Sequence, residues 1–366
     1  MGFSCGIVGL PNVGKSTLFN ALTKAGAESS NYPFCTIDPN VGVVPIPDKR
    51  LDEITTFVRT KSTIPTYMKF TDIAGLVAGA SEGQGLGNQF LSHIREVEAI
   101  VQVVRLFHDD DIVHIGEVDP IRDIEIIMTE LRLKDLETIE KRKLKLEKEA
   151  RGGKKEAKEE IELLNILEKL IEEEKPISAD SFSDTEQDYL SALRLITTKP
   201  MIILANVSEE QITKLDDDPN YKKLLDFAKS NGLEILPISA KIEAELSELS
   251  DDEVGEFLEA AGIEESGLNQ LIRKGYELLG LITYFTAGEK ECRGWTIEKG
   301  TKAPQAAGKI HSDFEKGFIR AEVVAYADFI AAQGSYPKVR ENGKLRQEGK
   351  EYVFQDGDVV NFKFNV

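Results

Sequence analysis

One short segment near the start of this chain constrains its fold more than any other. Residues 9–17 read GLPNVGKST and fit the pattern G-x-x-x-x-G-K-S/T. Residues 3–8 form an apolar run typical of a buried strand, and residues 16–22 have the apolar spacing of a helix. A strand, a glycine-rich turn and a helix form the setting in which this pattern binds phosphate. The segment therefore predicts an α/β fold and a nucleoside triphosphate as ligand.

The residues of this loop have separate predicted uses. Backbone N–H groups of residues 12–16 can point at the phosphates from the positive end of the following helix. Lys15 would supply positive charge to the β- and γ-phosphates during catalysis, and the Ser16 hydroxyl would bind Mg²⁺. We expect the phosphates to be contacted by Asn12, Val13, Gly14, Lys15, Ser16 and Thr17.

Further motifs follow in the chain order that is typical of P-loop proteins that hydrolyse nucleotides. Thr36, in a polar stretch that contains proline, is a candidate second hydroxyl ligand for Mg²⁺. The predicted strand 66–71 leads to Asp72 and a D-x-x-G sequence, in which Asp72 would hold the metal through a water molecule. Gly75 and Leu76 would form the switch, with the Gly75 N–H within reach of the γ-phosphate. Each motif is weak by itself, but their order after predicted strands makes the combination specific.

The predicted strand 201–205 ends at residues 206–209 (NVSE), where a GTPase would carry Asn-Lys-x-Asp. The aspartate of that motif accepts hydrogen bonds from guanine, whereas Glu209 is one methylene longer and would crowd the guanine 2-amino group. Asn206 offers a donor to adenine N7 and an acceptor to the 6-amino group, and a site built for paired hydrogen bonds rejects the wrong base. The sequence therefore predicts ATP in preference to GTP. The predicted base-contacting residues are Asn206, Val207, Glu209 and, after the predicted strand 234–238, Ser239, Ala240 and Lys241.

These motifs together resemble the YchF or Obg-like ATPases, a family within the Obg group of P-loop proteins. The likeness rests on residues 9–17, 31–36 (NYPFCT), 206–209 and 310–321 (IHSDFEKGFIRA), and it extends over essentially the whole chain. It implies the same preference for ATP over GTP. The segment 310–321 resembles the signature of TGS domains, small β-grasp modules that often bind RNA or ribosomes.

The group that orients the attacking water is the least defined part of the predicted site. Ras-type enzymes use a glutamine directly after D-x-x-G, but this chain has Leu76, whose side chain cannot hydrogen-bond to water. We prefer His114, because it matches a histidine that the resembled family uses for hydrolysis. The alternatives are that His114 is a surface histidine and that another group or a partner orients the water. The histidines of the chain are His93, His108, His114 and His311.

Asn12 leaves two interpretations open. An asparagine at this place resembles those relatives that hold K⁺ between the α- and γ-phosphates, where the ion substitutes for an arginine finger. The other interpretation is a loop residue that satisfies local backbone N–H groups.

A change in composition predicts an inserted domain. From about residue 123 to residue 175 the chain has no proline, confines glycine to Gly152 and Gly153, and repeats leucine and isoleucine at helical spacing. This pattern predicts an antiparallel helical hairpin inserted between two halves of the nucleotide-binding domain. Residues 141–158 hold nine basic residues against three glutamates, and residues 159–174 hold seven glutamates and one lysine. The basic tip could bind RNA phosphates on a ribosome, or it could be a solvated helical face.

Strand patterns from residue 281 onward predict a separate small α+β unit. We therefore predict an α/β P-loop domain with a mainly parallel sheet over residues 1–122 and 199–280. The helical hairpin domain would span 123–198, and a TGS-like β-grasp domain would span 281–366.

Composition narrows the class of protein further. The 366 residues suffice for two or three domains, and they contain neither a membrane-length apolar run nor a secretory leader, so we expect no membrane partner. The cysteines, Cys5, Cys35 and Cys292, are too widely spaced for a disulfide framework and indicate the cytoplasm. A net charge of −19 argues against nonspecific coating of nucleic acid, and we expect a monomer that does not bind DNA.

The sequence thus predicts a Mg²⁺-dependent ATPase with a regulatory role, associated with ribosomes or translation. Two alternatives remain: a conventional GTPase, and a nucleotide-gated binding protein whose slow hydrolysis is only a timer.

Overall fold

The computed structural model describes residues 3–27, 40–73, 93–108 and 117–365. Its first sheet has six strands in the order β2-β4-β1-β5-β6-β7. Neighbouring strands are parallel except β2, which pairs antiparallel to β4. The strands are β1 (Ser4–Gly9), β2 (Val41–Pro45), β4 (Tyr67–Asp72), β5 (Ala99–Arg105), β6 (Met201–Asn206) and β7 (Glu234–Ile238).

Helices cover both faces of this sheet. Every residue of β5 and β6 is buried, as expected for central strands of a parallel sheet. The predicted α/β fold with a mainly parallel sheet is confirmed, and the parallel strands all end at one edge, where ligands of such sheets bind. The helices of this part are α1 (Lys15–Ala27), α6 (Pro219–Asn231), α7 (Ala240–Leu246), α8 (Asp251–Ala261) and α9 (Gly267–Leu278).

Between β5 and β6 the chain leaves the sheet as a long helical hairpin. The first turns of its outgoing arm bury Ile124 and Leu131 in the core of the sheet, whereas Ile139 and Leu146 further along pack against the returning arm. One continuous helix therefore belongs to both cores, which sets the direction in which the hairpin projects. The arms, joined at the predicted pair of glycines, are α3 (Pro120–Arg151) and α4 (Lys155–Glu172), and α5 (Asp184–Leu193) follows them.

Asp135 of α3 holds the root of the hairpin. Its carboxylate accepts hydrogen bonds from the Ile196 N–H at 2.9 Å, and from the N–H and the hydroxyl of Thr197 at 2.8 Å each. Burial raises the pKa of Asp135 even though these hydrogen bonds act in the opposite direction. The donors satisfy the buried carboxylate and fix the returning chain against the outgoing helix.

A second sheet, in the order β11-β10-β12-β8-β9-β3, is built mainly from the C-terminal part. Its strands are β3 (Thr63–Ile64), β8 (Leu281–Ala287), β9 (Cys292–Glu298), β10 (Phe318–Ala325), β11 (Arg346–Glu348) and β12 (Asp358–Phe364). The helices that accompany it are α10 (Ala303–Ile310), α11 (Ser312–Lys316), α12 (Tyr326–Ala331) and α13 (Tyr336–Glu341).

Residues 49–64 join this second sheet, although chain order had led us to assign them to the nucleotide-binding domain. β3 pairs parallel to β9, and α2 (Lys49–Val58) buries Leu51 and Ile54 in the same apolar cluster as Phe285. The pairing covers the beginning of β9, at Cys292 and Arg293, which would otherwise lie at an open strand edge. Local sequence could not reveal this placement, because it depends on a partner more than 200 residues further along the chain.

Arg50 of α2 adds polar contacts to this junction. Its guanidinium forms ion pairs with Asp48 at 2.8 Å and with Asp356, just before β12, at 2.7 Å. Burial by itself disfavours the charged form, but hydrogen bonds to both carboxylates outweigh burial and raise the pKa of Arg50.

Among the helices in the described ranges, none has the length and apolar character needed to cross a membrane. Cys5 and Cys292 are buried free thiols, and Cys35 lies outside these ranges. Burial raises the pKa of Cys5 to about 12, so this thiol stays protonated and unreactive.

Candidate nucleotide-binding site

The phosphate-binding loop is a tight turn between β1 and α1. Asn12 and Gly14 both have left-handed backbone, with φ angles of +62° and +96°. The Leu18 N–H donates to the Gly14 carbonyl at 3.1 Å, which closes the first turn of α1 onto the loop. Glycine is needed at position 14, because a side chain there would also overlap the amide nitrogen of Asn206. The turn thus brings the N-terminus of α1 to the edge of the sheet, where it can bind phosphate.

Lys15 and Asp72 face each other at this edge. Lys15 Nζ lies 3.3 Å from Asp72 Oδ1, and the two side chains are only 11% and 18% exposed. The same Asp72 oxygen is buried and makes no hydrogen bond among the described residues. The carboxylate is therefore paired electrostatically but can still accept a further ligand. Ser16, the predicted metal ligand, is exposed in the first turn of α1.

Asn206 connects the phosphate-binding loop to the segment after β7. It is the last residue of β6 and is 2% exposed. Its Nδ2 donates to the Val13 carbonyl at 2.8 Å, and its Oδ1 accepts from the Ala240 N–H at 3.0 Å. We predicted that this amide contacts the base, and the structure shows its two partners within the protein. One N–H and one lone pair of the Asn206 amide remain for the predicted pairing with adenine.

A cavity of about 630 Å³ opens beside Asn206, a volume typical of small-ligand pockets. The predicted motifs at 12–17, 206–209 and 239–241 meet around it although they are far apart in the sequence. The cavity is lined by Asn12, Gly14, Thr17, Phe107, His108, Asn206, Val207, Ser208, Glu209, Ser239, Ala240, Lys241 and Ala244.

Glu209 and Lys241 form an ion pair at the rim of the cavity. Lys241 Nζ lies 2.5 Å from Glu209 Oε2, with the side chains 68% and 41% exposed. The hydrogen bond to Glu209 raises the pKa of Lys241. The carboxylate that stands in place of the guanine-binding aspartate therefore already has a partner within the protein.

Phe107 is a cavity residue that the sequence analysis missed. It is half-buried and follows β5 by two residues, in no recognisable motif. Its position at the cavity follows from the neighbouring placement of β5 and β6, which the sheet order reveals and the sequence does not. Among the described histidines, His108 also lines the cavity, whereas His93 is exposed and lies in helical backbone.

Four predicted site residues lie outside the described ranges: Thr36, Gly75, Leu76 and His114. Their roles in metal binding, switching and hydrolysis stay predictions.

A mainly parallel sheet whose first strand runs through such a loop into a helix places this chain among the P-loop nucleoside triphosphatases. Residues 4–141 match the family MMR_HSR1, described as 50S ribosome-binding GTPase. Residues 281–365 match YchF-GTPase_C, described as a protein of unknown function (DUF933).

Similar proteins extend this match over the whole chain. The Ribosome-binding ATPase YchF of Bacillus subtilis (strain 168) is 56% identical and that of Escherichia coli O157:H7 is 53% identical, each over 367 residues covering 100% of both chains. A solved structure described as the Schizosaccharomyces pombe YchF GTPase matches with a TM-score of 0.89 at 42% identity, covering 99% of this chain and 98% of that chain. The chain belongs to the YchF family, as its motifs had indicated.

Proposed function

We propose that this chain binds ATP in the cavity beside Asn206 and hydrolyses it with Mg²⁺. The observation that carries the proposal is the meeting of the phosphate-binding loop with residues 206–209 and 239–241 around one cavity of about 630 Å³. The phosphates would lie at the N-terminus of α1 near Lys15, and the nucleoside would extend towards Glu209. The similar proteins of Bacillus subtilis and Escherichia coli carry the word ATPase in their names.

The ion pair at the cavity rim supports adenine over guanine. A GTPase aspartate accepts hydrogen bonds from guanine, whereas Glu209 Oε2 accepts from the exposed Lys241 at 2.5 Å, so this lysine competes with guanine for one of the acceptor positions of the carboxylate. Adenine does not need this acceptor, because the remaining N–H and lone pair of Asn206 match adenine N7 and the 6-amino group. The Schizosaccharomyces pombe neighbour is described as a GTPase, and titration of this chain with ATP and with GTP distinguishes the two bases.

Phe107 supports a base at this end of the cavity. An aromatic ring can stack on the flat face of a nucleobase. Val207, which is 2% exposed, adds a further apolar contact to the cavity. The apolar wall formed by Phe107 and Val207 would contact any base and would therefore add affinity without selectivity. The polar groups of Asn206 and Glu209 would select adenine.

The described residues suit a magnesium ion that is shared with the nucleotide. Mg²⁺ prefers oxygen ligands and in such sites keeps several water molecules. Asp72 provides a buried oxygen without a hydrogen bond, and Ser16 provides an exposed hydroxyl one residue from Lys15. We propose that Ser16 and Thr36 would bind the ion directly and Asp72 through a water molecule. The bound ion would neutralise charge on the phosphates.

Asn12 keeps two proposed roles. Its left-handed backbone is compatible with a loop residue that only stabilises the turn. The other role is to bind K⁺ as a fixed positive charge beside the phosphates. Turnover in potassium chloride and in sodium chloride at equal ionic strength separates the two, because only the second role makes hydrolysis depend on K⁺.

We also propose that the hairpin tip binds ribosomal RNA. Part of its basic cluster is used within the protein, as in the pair between Arg142 and Glu160 at 2.6 Å and that between Lys143 and Glu168 at 2.7 Å. Other cations of the tip make no ion pair with any described residue and are available to phosphates: Lys145, Lys148, Arg151 and Lys158. The TGS-like C-terminal unit is the second proposed contact, made by a cytoplasmic monomer.

A nucleotide-gated timer is the second candidate function. It is favoured by Leu76, which stands where a glutamine would orient water. ATP turnover with and without ribosomes decides between the candidates. Strong stimulation by ribosomes supports the timer, and brisk unassisted turnover supports an independent enzyme.

The first experiment is calorimetric titration of the full chain with ATP and with GTP in the presence of Mg²⁺. We expect ATP to bind at least about tenfold more tightly, since loss of a paired hydrogen bond discriminates strongly. Lys15→Ala should lose affinity for both nucleotides. Lys24→Ala is the matched control, because Lys24 lies near the other end of α1 and pairs with Glu248. Equal affinity for ATP and GTP would overturn the base choice, and parental binding by Lys15→Ala would place the phosphates elsewhere.

A further inference from the structure

Arg105 is a buried cation close to the base end of the cavity. It is the last residue of β5, it stands opposite Asn206 of β6, and it is 1% exposed. It is not among the described residues that line the cavity. Burying a guanidinium in the core of a sheet costs free energy unless specific interactions compensate for the lost hydration. The contacts of Arg105 therefore indicate its role.

Two of those contacts are made to the same residue, Phe107. Arg105 Nε donates to the Phe107 carbonyl at 2.9 Å. The guanidinium carbon lies 4.4 Å from the centroid of the Phe107 ring, within the range of a cation–π interaction. Arg105 therefore restrains both the backbone and the side chain of Phe107.

Further hydrogen bonds among the described residues anchor the loop that carries Phe107 on its side towards β6. The Leu106 N–H donates to the Asn206 carbonyl at 2.9 Å, and the Leu106 carbonyl accepts from Gln211 Nε2 at 3.3 Å. These bonds hold the backbone of the neighbouring residue, and neither of them reaches the Phe107 ring. The Arg105 guanidinium, in contrast, contacts the Phe107 ring itself and thereby restrains its direction.

We propose that Arg105 is a positioning residue that holds the Phe107 ring against the nucleobase from behind. This inference rests on the proposed binding of ATP in the cavity. In this proposal Arg105 touches neither base nor phosphate, and its effect on the bound base passes through Phe107. It should therefore strengthen binding of the nucleoside and leave binding of the phosphates unchanged.

The test compares ATP with inorganic tripolyphosphate, which has no base, as calorimetric titrants of the full chain with Mg²⁺. Arg105→Met keeps an unbranched apolar chain but removes the charge and the Nε donor. We expect about tenfold weaker ATP binding, the scale of a desolvated cation–π contact, and tripolyphosphate binding within twofold of the parent. KM for ATP should rise with kcat unchanged. Arg105→Lys, which keeps a cation beside the ring, should recover part of the ATP affinity.

A double-mutant cycle checks that the effect passes through Phe107. In a Phe107→Ala background, Arg105→Met should reduce ATP affinity no further. Equal losses of ATP and tripolyphosphate affinity, or fully additive losses in the cycle, would overturn the inference. If Arg105→Met does not fold, Arg105→Lys in the same cycle decides by the same criteria. A parent that fails to bind ATP would overturn the proposed function instead, so the two failures are distinguishable.

Discussion

At the scale of single residues, Asn206 is where phosphate binding and base binding are joined. Its amide bonds to Val13 in the phosphate-binding loop and to Ala240 after β7, and Gly14 leaves room for it by having no side chain. A change at Asn206 should therefore disturb the geometry of the loop as well as the contact with adenine.

Asn206→Ala is expected to lower both ATP affinity and stability. The buried Val13 carbonyl and Ala240 N–H would lose their partner, and each unsatisfied group costs about 1–3 kcal/mol. Titration calorimetry and thermal unfolding measure the two effects. Asn231→Ala is the control, because Asn231 also donates to a backbone carbonyl, that of Phe227, but at the exposed end of α6. Unchanged ATP affinity in Asn206→Ala would contradict the assignment.

His114→Ala is expected to lower ATP turnover by about 10²-fold, the lower range for loss of a group that orients or activates water. ATP affinity should stay nearly unchanged, because the histidine would act on the water and not on the nucleotide. Steady-state hydrolysis and titration calorimetry measure the two quantities.

The controls for His114 follow from the structure. His108 lines the cavity, so His108→Ala can change ATP affinity and is not a neutral control for binding. His93 and His311 are both exposed, and substitution of either should leave turnover and affinity unaltered. If His114→Ala hydrolyses ATP like the parent, the water must be oriented by backbone groups, by K⁺ or by a partner.

At the scale of elements, some basic residues of the hairpin form ion pairs within the protein, and others form the proposed RNA surface. Arg142 forms two hydrogen bonds to Glu160 across the hairpin, at 2.6 and 2.8 Å. A bidentate contact of this kind fixes the register of the two helices. The cations without ion pairs in the described residues are concentrated towards the turn, so the proposed RNA surface is smaller than the basic cluster in the sequence.

Alanine at the four cations of the proposed RNA surface should weaken ribosome binding without changing ATP binding. The salt slope of binding should fall by up to about four, since each phosphate contact contributes roughly one unit. Co-sedimentation with ribosomes over a salt series measures this. The substituted residues are Lys145, Lys148, Arg151 and Lys158.

The matched control removes four cations from the sheet domain instead, at Lys214, Lys222, Lys223 and Lys229. It changes the net charge equally, so a similar loss of ribosome binding would mean that only total charge matters. Unchanged ribosome binding after the hairpin substitutions would mean that the tip is a solvated helical face and not an RNA-binding surface.

At the scale of the whole molecule, residues 49–64 connect the two sheets. This segment precedes β4, which ends at Asp72 of the site, and yet α2 and β3 pack on the C-terminal sheet. The two parts are therefore joined by buried side chains as well as by the chain after α9.

Ile54→Ala is expected to destabilise the C-terminal sheet by about 2–5 kcal/mol, the usual cost of truncating a buried isoleucine. Ile54 is fully buried in the cluster that contains Phe285 and Phe329. Trp295 on β9 is the single tryptophan and reports on this sheet, so urea unfolding followed by its fluorescence measures the effect. Thr56→Ala, exposed on the same helix, should be nearly neutral. Equal midpoints for the two variants would contradict the packing role of α2.

Much of the fold was accessible from the sequence because its signals are local. The strands predicted at 201–205 and 234–238 are β6 and β7, and the double glycine does separate the two arms of the hairpin. Each of these features depends on residues within a few positions of one another, where apolar spacing and turn residues act directly on the backbone.

The sequence by itself determined that the chain has a phosphate-binding loop between a strand and a helix. The reason is that Gly14, Lys15 and Ser16 are consecutive residues and act within a single turn of the backbone. Only the tertiary structure decided that Asn206 also bonds to the loop, that Phe107 lines the cavity, and that residues 49–64 join the second sheet. These outcomes depend on which strands become neighbours. Strand order is set by packing between distant segments, and no local pattern encodes it.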